Sequence, residues 1–330
     1  ALNTMPYVAV PAYWIFGRSR FEGYVDSRRA SEGEMADLAT RIREPIEPYM
    51  VPAEVMDTAP AGRAAERLAG LPYLTGNATE LLIDGEETFA SILEGIGRAR
   101  DYILFQFFIV KDDELGREVQ AHLIRKAREG VRVYFLYDEV GSHSLSSGYV
   151  RELRDAGVRI LEFNTRKGPR NRFQLNFRNH RKVVVVDGKA AWIGGHNVGD
   201  EYMGRDPSFG RWRDTHMKIE GPAVMSVQLS FVEDWAWAAD EILDVNWIPT
   251  PAEGQDRPVL ILPSGPADDL ETAALMFIHA INTAKERIWI ASPYFVPDDG
   301  VMAALQLAGL RGVDVRILIP DEPDHLAVYL

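Results

Sequence analysis

The sequence predicts an α/β layered fold, a sheet flanked by helices. Three observations carry the prediction. From Ala78 onward, short apolar runs alternate with amphipathic stretches in a βα rhythm. Two of those runs, Tyr102 to Val110 and Val131 to Tyr137, are too continuously apolar for strands with one wet face. Between them Leu115, Val119, Leu123 and Ala127 recur at four-residue spacing, and Gly130 ends the stripe. Strands buried on both sides and joined by such helices make a layered sheet.

In chain order, Glu80 to Ile83 is a short strand candidate and Glu87 to Arg98 an amphipathic helix. Tyr102 to Val110, the Leu115 stripe and Val131 to Tyr137 follow, with Asp138 closing the last. Val150 to Leu153 and Val158 to Phe163 continue the pattern. Ahead of this core, residues 18–75 read as a charged linker with helical patches, interrupted by Pro45, Pro48, Pro52 and Pro60. Residues 1–17 carry no charge, and Tyr13 and Trp14 precede Arg18 and Arg20. Aromatic residues beside arginines suit the cytoplasmic end of a membrane helix. The segment is shorter than the roughly 20 residues needed to cross, so it reads as the C-terminal part of a transmembrane helix. A strand or loop packed on the core and an interfacial anchor are the competing readings.

The 330 residues are 46% hydrophobic, enough for two domains with real cores. A formal net charge of −13 argues against a general nucleic-acid binder, whose phosphate affinity rests on basic surface. With no cysteine, disulfides, thiolate nucleophiles and cysteine zinc sites are excluded. No histidine pair has metal-ligand spacing, and neither a metal nor another cofactor is expected.

The chain also partly repeats itself. Ala99-Arg100-Asp101 before an apolar strand resembles Ala284-Lys285-Glu286 before Arg287 to Ala291, and Gly130-Val131-Arg132-Val133 resembles Gly312-Val313-Asp314-Val315. The offset changes only from 185 to 182 residues, as one small deletion would make it. A period this long means a duplicated domain rather than a solenoid. A first domain over 76–250 and the start of a second over 251–330 are therefore expected, the second copy incomplete.

Chemistry concentrates in His180 to Asn197, HRKVVVVDGKAAWIGGHN. Residues two apart on a strand share a face, so His180 and Lys182 project together at the start of a β-branched run. Asp187-Gly188 then signals a hairpin turn. An imidazole beside a cation, with the Asn197 amide returning nearby, suits attack at phosphorus. The approach to this stretch is strongly basic. Arg166, Lys167, Arg170, Arg172, Arg178, Arg181 and Lys182 fall within seventeen residues that include no acid, and Phe173, Leu175 and Phe177 alternate among them. Such a surface can meet anionic headgroups and acyl chains together; a solvated loop with core-facing aromatics is the plainer alternative.

The full spacing, His180-x-Lys182-x4-Asp187-x6-Gly194-Gly195-x-Asn197, resembles the HKD motif of the phospholipase D superfamily, with Gly195 where many members carry serine. Gly76-Asn77, Trp212-Arg213-Asp214-Thr215-His216 with Ile219-Glu220-Gly221-Pro222, and Ser292-Pro293-Tyr294-Phe295-Val296-Pro297 are similar to bacterial cardiolipin synthases of that type. The resemblance implies a phospholipase D-like sheet and a phosphatidyltransferase that joins two phosphatidylglycerols into cardiolipin and glycerol. His180 would be the nucleophile, Lys182 and Asn197 would stabilise phosphoryl oxygens, and Asp214 would accept from the other imidazole nitrogen. Asp187 joins this catalytic set, although an Asp-Gly pair is also what a tight turn requires. Arg166, Lys167, Arg170, Arg172, Arg178 and Gly195 are the substrate-binding candidates. Anionic membrane lipid is the implied partner and nucleic acid is not. The implied location is the bacterial inner membrane, with the catalytic domain facing the cytoplasm.

The family carries two HKD copies, and this chain shows one. His279 and His325 lack a lysine two residues on, His122 and His143 carry no spacing signal, and His196 and His216 read as supporting residues. The second half-site is expected from a missing C-terminal repeat or a second chain. A hydrolytic phospholipase D, a nuclease of the same superfamily and an inactive membrane-associated fragment are the alternatives.

Overall fold

The computed structural model describes residues 32–52, 54–55, 60–163, 178–265 and 268–321. The expected membrane segment 1–17 and the basic residues Arg166, Lys167, Arg170 and Arg172 lie outside that range. Among the described residues no helix is long and apolar enough to cross a membrane.

In chain order the elements are α1 (Glu32–Ile46), α2 (Pro60–Ala69), β1 (Leu74–Ile83), α3 (Asp84–Arg98), β2 (Tyr102–Phe107), α4 (Glu114–Arg128) and β3 (Arg132–Asp138). Then come α5 (Ser147–Asp155), β4 (Arg159–Phe163), β5 (Val183–Val186), β6 (Ala190–Gly194), β7 (Thr215–Glu220), α6 (Val224–Ala239) and β8 (Arg257–Val259). The last four are α7 (Thr272–Thr283), β9 (Arg287–Ala291), α8 (Asp299–Leu310) and β10 (Asp314–Leu318).

The chain divides into two compact units, one of residues up to Val51 with Tyr73–Ile261, the other of Pro52–Pro72 with Leu262–Leu330. β8 thus closes the first unit's sheet past residue 250, where the sequence placed the start of a second domain. Within the expected linker, α1 joins the first unit's core, through Leu38, Ile42 and Ile46. α2 instead packs on α7 in the second unit.

The first unit is built on an eight-stranded sheet ordered β4-β3-β2-β5-β6-β7-β1-β8. β4, β3 and β2 run parallel, and every later pairing is antiparallel. Alternation along the strands feeds two cores. Ile103, Phe105, Val133, Phe135, Val184 and Val186 join α3, α4 and α5 on one face. Tyr102, Leu104, Tyr134, Leu136, Val183 and Val185 join α6 and α1 on the other. β5, β-branched throughout and buried at all four positions, sits mid-sheet between β2 and β6.

The second unit holds a parallel pair, β9 and β10, with α7 and α8 packed together. Its register reproduces the sequence repeat. Tyr102 pairs with Arg132 in the first unit and Arg287 with Asp314 in the second; Leu104–Tyr134 likewise corresponds to Trp289–Arg316. The helix caps repeat as well, Asp113 accepting from the Gly116 N–H and Asp298 from the Val301 N–H.

Candidate active site

The candidate residues converge where β2 and β3 end, β5 begins, β6 ends and β7 begins. In an open sheet this carboxyl end of parallel strands is where ligands bind. His180 and Lys182 lie just ahead of β5. Lys182 Nζ is 3.2 Å from His180 Nδ1 and donates to the His180 carbonyl at 2.7 Å. Phe108, one residue past β2, lies under both: its ring centre is 4.6 Å from the imidazole and 5.3 Å from Nζ. Lys182 is 5% exposed, whereas His180 stays open to solvent.

Burial and the neighbouring Lys182 hold His180 below the ordinary imidazole pKa, with Asp138 pulling the other way. Burial also pushes Lys182 down to about 7, against the pull of Asp214 and Asp138. Near neutral pH the imidazole is therefore neutral, and the lysine has both its forms available.

Two buried carboxylates that the sequence reading gave no role hold the segment carrying this pair. Asp138, at the end of β3, accepts from the Val140, Gly141 and Asn179 N–H groups. Asp234, on α6, accepts from Gln106 Nε2, Asn179 Nδ2 and Arg181 Nη1, each at 2.8 Å. Arg181, counted among the basic residues of a lipid surface, is bound to α6. Arg178 is half-buried just ahead of it. An acid following a strand, or an acid inside an otherwise apolar helix, was the available sequence signal, and neither names its partner.

The other expected residues are distributed differently. Asp187 sits at the far end of β5, in the turn to β6, at φ 53° and followed by Gly188 at φ 65°. Its carboxylate accepts from the N–H groups of Arg100, Asp101 and Tyr102, each at 2.9 Å. It ties the hairpin turn to the start of β2, and the length of β5 separates it from His180. Asn197 is 4% exposed, donates to the Tyr202 hydroxyl and accepts from the Ile109 N–H. Its second amide hydrogen has no partner among the described residues. Asp214 is not hydrogen-bonded to His180 as expected: its Oδ1 accepts from the Thr215 N–H at 2.7 Å, and the imidazole Nδ1 faces Lys182 instead.

The two glycines of the motif act as seats. A Cβ at Gly195 would come within 2.1 Å of the Asp214 carboxylate, and one at Gly194 within 2.5 Å of the His216 ring. Gly195 thus gives room to Asp214. The register sets Gly194 opposite His216, so the missing side chain at Gly194 lets the His216 ring lean across it. His216 is 3.4 Å from His196, Nδ1 to Nδ1, and His196 Nδ1 is 3.5 Å from the Thr88 hydroxyl. Both rings are fully buried, and burial, together with His196 and Lys182, drives His216 down to about 3. Burial lowers His196 too, against Asp214 and Asp84. Neutral rings here add no positive charge beside Lys182. Among the described residues no cluster suits a metal ion.

Comparison with known proteins gives this geometry a setting. The sequence profile described as "Cardiolipin synthase, PLD-like domain" matches residues 92–226 and 277–329. Cardiolipin synthase A of Pseudomonas fluorescens strain SBW25 is 50% identical over 331 residues, spanning 100% of this chain and 69% of that protein. Cardiolipin synthase A of Pseudomonas syringae pv. syringae strain B728a is 50% identical over 334 residues, 98% of this chain and 68% of that one. Among solved structures, phosphatidylserine synthase of Haemophilus influenzae Rd KW20 superposes with a TM-score of 0.56 at 16% identity, covering 82% of this chain and 70% of that chain. That likeness is one of fold: a mixed sheet flanked by helices.

Proposed function

The chain belongs to the phospholipase D-like cardiolipin synthase family, and from that premise we propose that it transfers a phosphatidyl group between two phosphatidylglycerol molecules through His180. The supporting observation is the His180–Lys182 pair, a solvent-open imidazole with Nδ1 3.2 Å from a buried amine. Attack needs a free lone pair on the outward nitrogen, Nε2, and hence the imidazole proton on Nδ1. That N–H donates to Lys182 only when the lysine is neutral, and a pKa near 7 makes this form accessible. The His180 N–P bond forms as the P–O bond to glycerol breaks, giving a phosphatidyl-histidine. Attack leaves the imidazole positively charged, its Nδ1 proton passes to the neutral Lys182 3.2 Å away, and the resulting ammonium stabilises the non-bridging oxygens together with the second Asn197 amide hydrogen. In the second half, the hydroxyl of another phosphatidylglycerol forms the new P–O bond, the P–N bond breaks and cardiolipin leaves.

The departing glycerol oxygen requires a proton, and the acceptor hydroxyl must give one up. The proposal assigns both to a second His-x-Lys half-site, from a further copy of the repeat or a second chain. It also places the enzyme at the bacterial inner membrane, catalytic unit toward the cytoplasm. The uncharged residues 1–17 followed by Arg18 and Arg20 support that orientation, and the basic run from Arg166 to Arg178 suits anionic lipid.

The test is product analysis with labelled phosphatidylglycerol, using the full-length protein in mixed micelles. Cardiolipin and glycerol are expected, with a labelled protein adduct trapped by acid quench; phosphatidic acid alone would make the chain a hydrolase. His180→Ala is expected to lose both adduct and turnover, and an adduct that survives refutes His180 as nucleophile.

A further inference from the structure

We infer that Asp234, on α6, is a positioning residue for the nucleophile, holding the 179–182 segment from the face opposite the reaction. This rests on the reading of His180 as nucleophile. Residues 178–182 lie outside the ladder: β5 begins only at Val183, so strand pairing does not fix His180. Its neighbours do. Side chains alternate, so Asn179 and Arg181 turn toward α6 while His180 and Lys182 turn to the other face. On the α6 side the Asp234 carboxylate, 2% exposed, gathers Asn179 Nδ2, Arg181 Nη1 and Gln106 Nε2 at 2.8 Å each on one oxygen. Arg181 also donates to the Ser230 carbonyl one helical turn earlier. The residues immediately before and after His180 are thereby bound to one buried charge on a rigid helix, and Gln106 ties that charge to the end of β2.

The arrangement has a chemical consequence. An in-line attack at phosphorus requires the imidazole nitrogen within a few tenths of an ångström of its place, and an error of about 1 Å costs on the order of a hundredfold in rate. A buried carboxylate with three donors, one of them charged, is a stiff support. Asp234 touches no substrate in this scheme; it acts through Asn179 and Arg181. It should therefore govern the rate of histidine phosphatidylation and leave phosphatidylglycerol affinity almost untouched.

The experiment compares wild type, Asp234→Asn, Asn179→Ala and His180→Ala in the full-length protein, each checked for folding by thermal melt and near-UV circular dichroism. Adduct formation from labelled phosphatidylglycerol is followed by rapid acid quench, and kcat and KM are measured separately. In Asp234→Asn the adduct still forms, but its rate and kcat fall together by about ten- to a hundredfold; KM stays within about twofold, as loss of orientation without loss of binding predicts. Asn179→Ala, which keeps the acid and removes one donor, shows a smaller loss of the same kind, and carries the test should Asp234→Asn fail to fold. Wild-type adduct rates in a folded Asp234→Asn or Asn179→Ala, with His180→Ala inert, overturn the positioning role alone. So does a loss confined to KM, or one that only follows the unfolded fraction. An adduct in His180→Ala overturns the nucleophile reading beneath it.

Discussion

The pair β2/β3 and the pair β9/β10 are the same piece of sequence used twice, with one register and equivalent helix caps, yet their surroundings differ. β2 is buried at all six positions, whereas β9 alternates between exposed and half-buried. Leu104 is 0% exposed and its counterpart Trp289 60%. In the first unit β5 pairs along the free edge of β2 and α6 covers its face; among the described residues β9 pairs with β10 alone. In the first unit β5 fills the edge and brings His180 and Lys182 with it, and α6 covers the face and brings Asp234.

The largest consequence is for stability. Leu104→Ala should cost about 2–5 kcal/mol, as large-to-small changes in a sealed core do. Trp289→Ala, at the matching position, loses contacts with Arg287, Arg316 and Asp314 on an open surface, and should cost about 1 kcal/mol or less. Denaturant melts of the two variants decide the matter. Equal costs would mean that β9 is covered in solution and that the two copies differ little in burial.

Much of this was legible in the sequence, and the limits are instructive. Four consecutive valines between a His-x-Lys pair and an Asp-Gly turn announce a buried strand, a site and a hairpin, all within a few residues of one another. The repeat offsets match the equivalence of the two strand pairs, Tyr102–Arg132 with Arg287–Asp314. Asp234 and Asp138 stayed hidden because their roles depend on which strand lies beside which. Asn179 and Asp234 are 55 residues apart in sequence and meet only once α6 packs on the sheet. Arg181 misled for the same reason: a run of like charge looks like one surface, while strand alternation sends every second side chain to the opposite face.

A second contrast concerns protons. In the first unit His216 and His196 are buried and neutral, whereas His279, the histidine of α7, is only half-buried. The unfolded chain binds a proton at His216 below about pH 6.5, and the folded chain only near 3. The unfolded state thus holds more protons in that window, and stability rises with pH across it. The contribution is complete above about pH 6.5 and is lost as pH falls toward 3. The loss is about 1.4 kcal/mol for each tenfold difference in proton affinity between the two states, as an upper bound. His216→Gln should flatten the acid side of the stability curve followed by urea melts from pH 4 to 7. An unchanged slope would place the acid sensitivity elsewhere.

The smallest effect separates the two readings of Asp187. Its carboxylate closes the start of β2 through three backbone N–H groups, while the matching start of β9, at Lys285, Glu286 and Arg287, has no such acceptor among the described residues. Asn fits the same left-handed backbone and keeps an acceptor oxygen, but it gives up the charge and one of the two oxygens that share the three donors. Asp187→Asn should therefore cost about 1–2 kcal/mol of stability, and the folded variant should turn over phosphatidylglycerol at close to the wild-type rate. Its distance from His180 along β5 requires this, since a turn-holding residue acts on the hairpin and not on the reacting phosphorus. A folded Asp187→Asn with unaltered melting and no turnover would return this aspartate to the chemistry. It would also mean that the motif's spacing carries more than the fold of one hairpin.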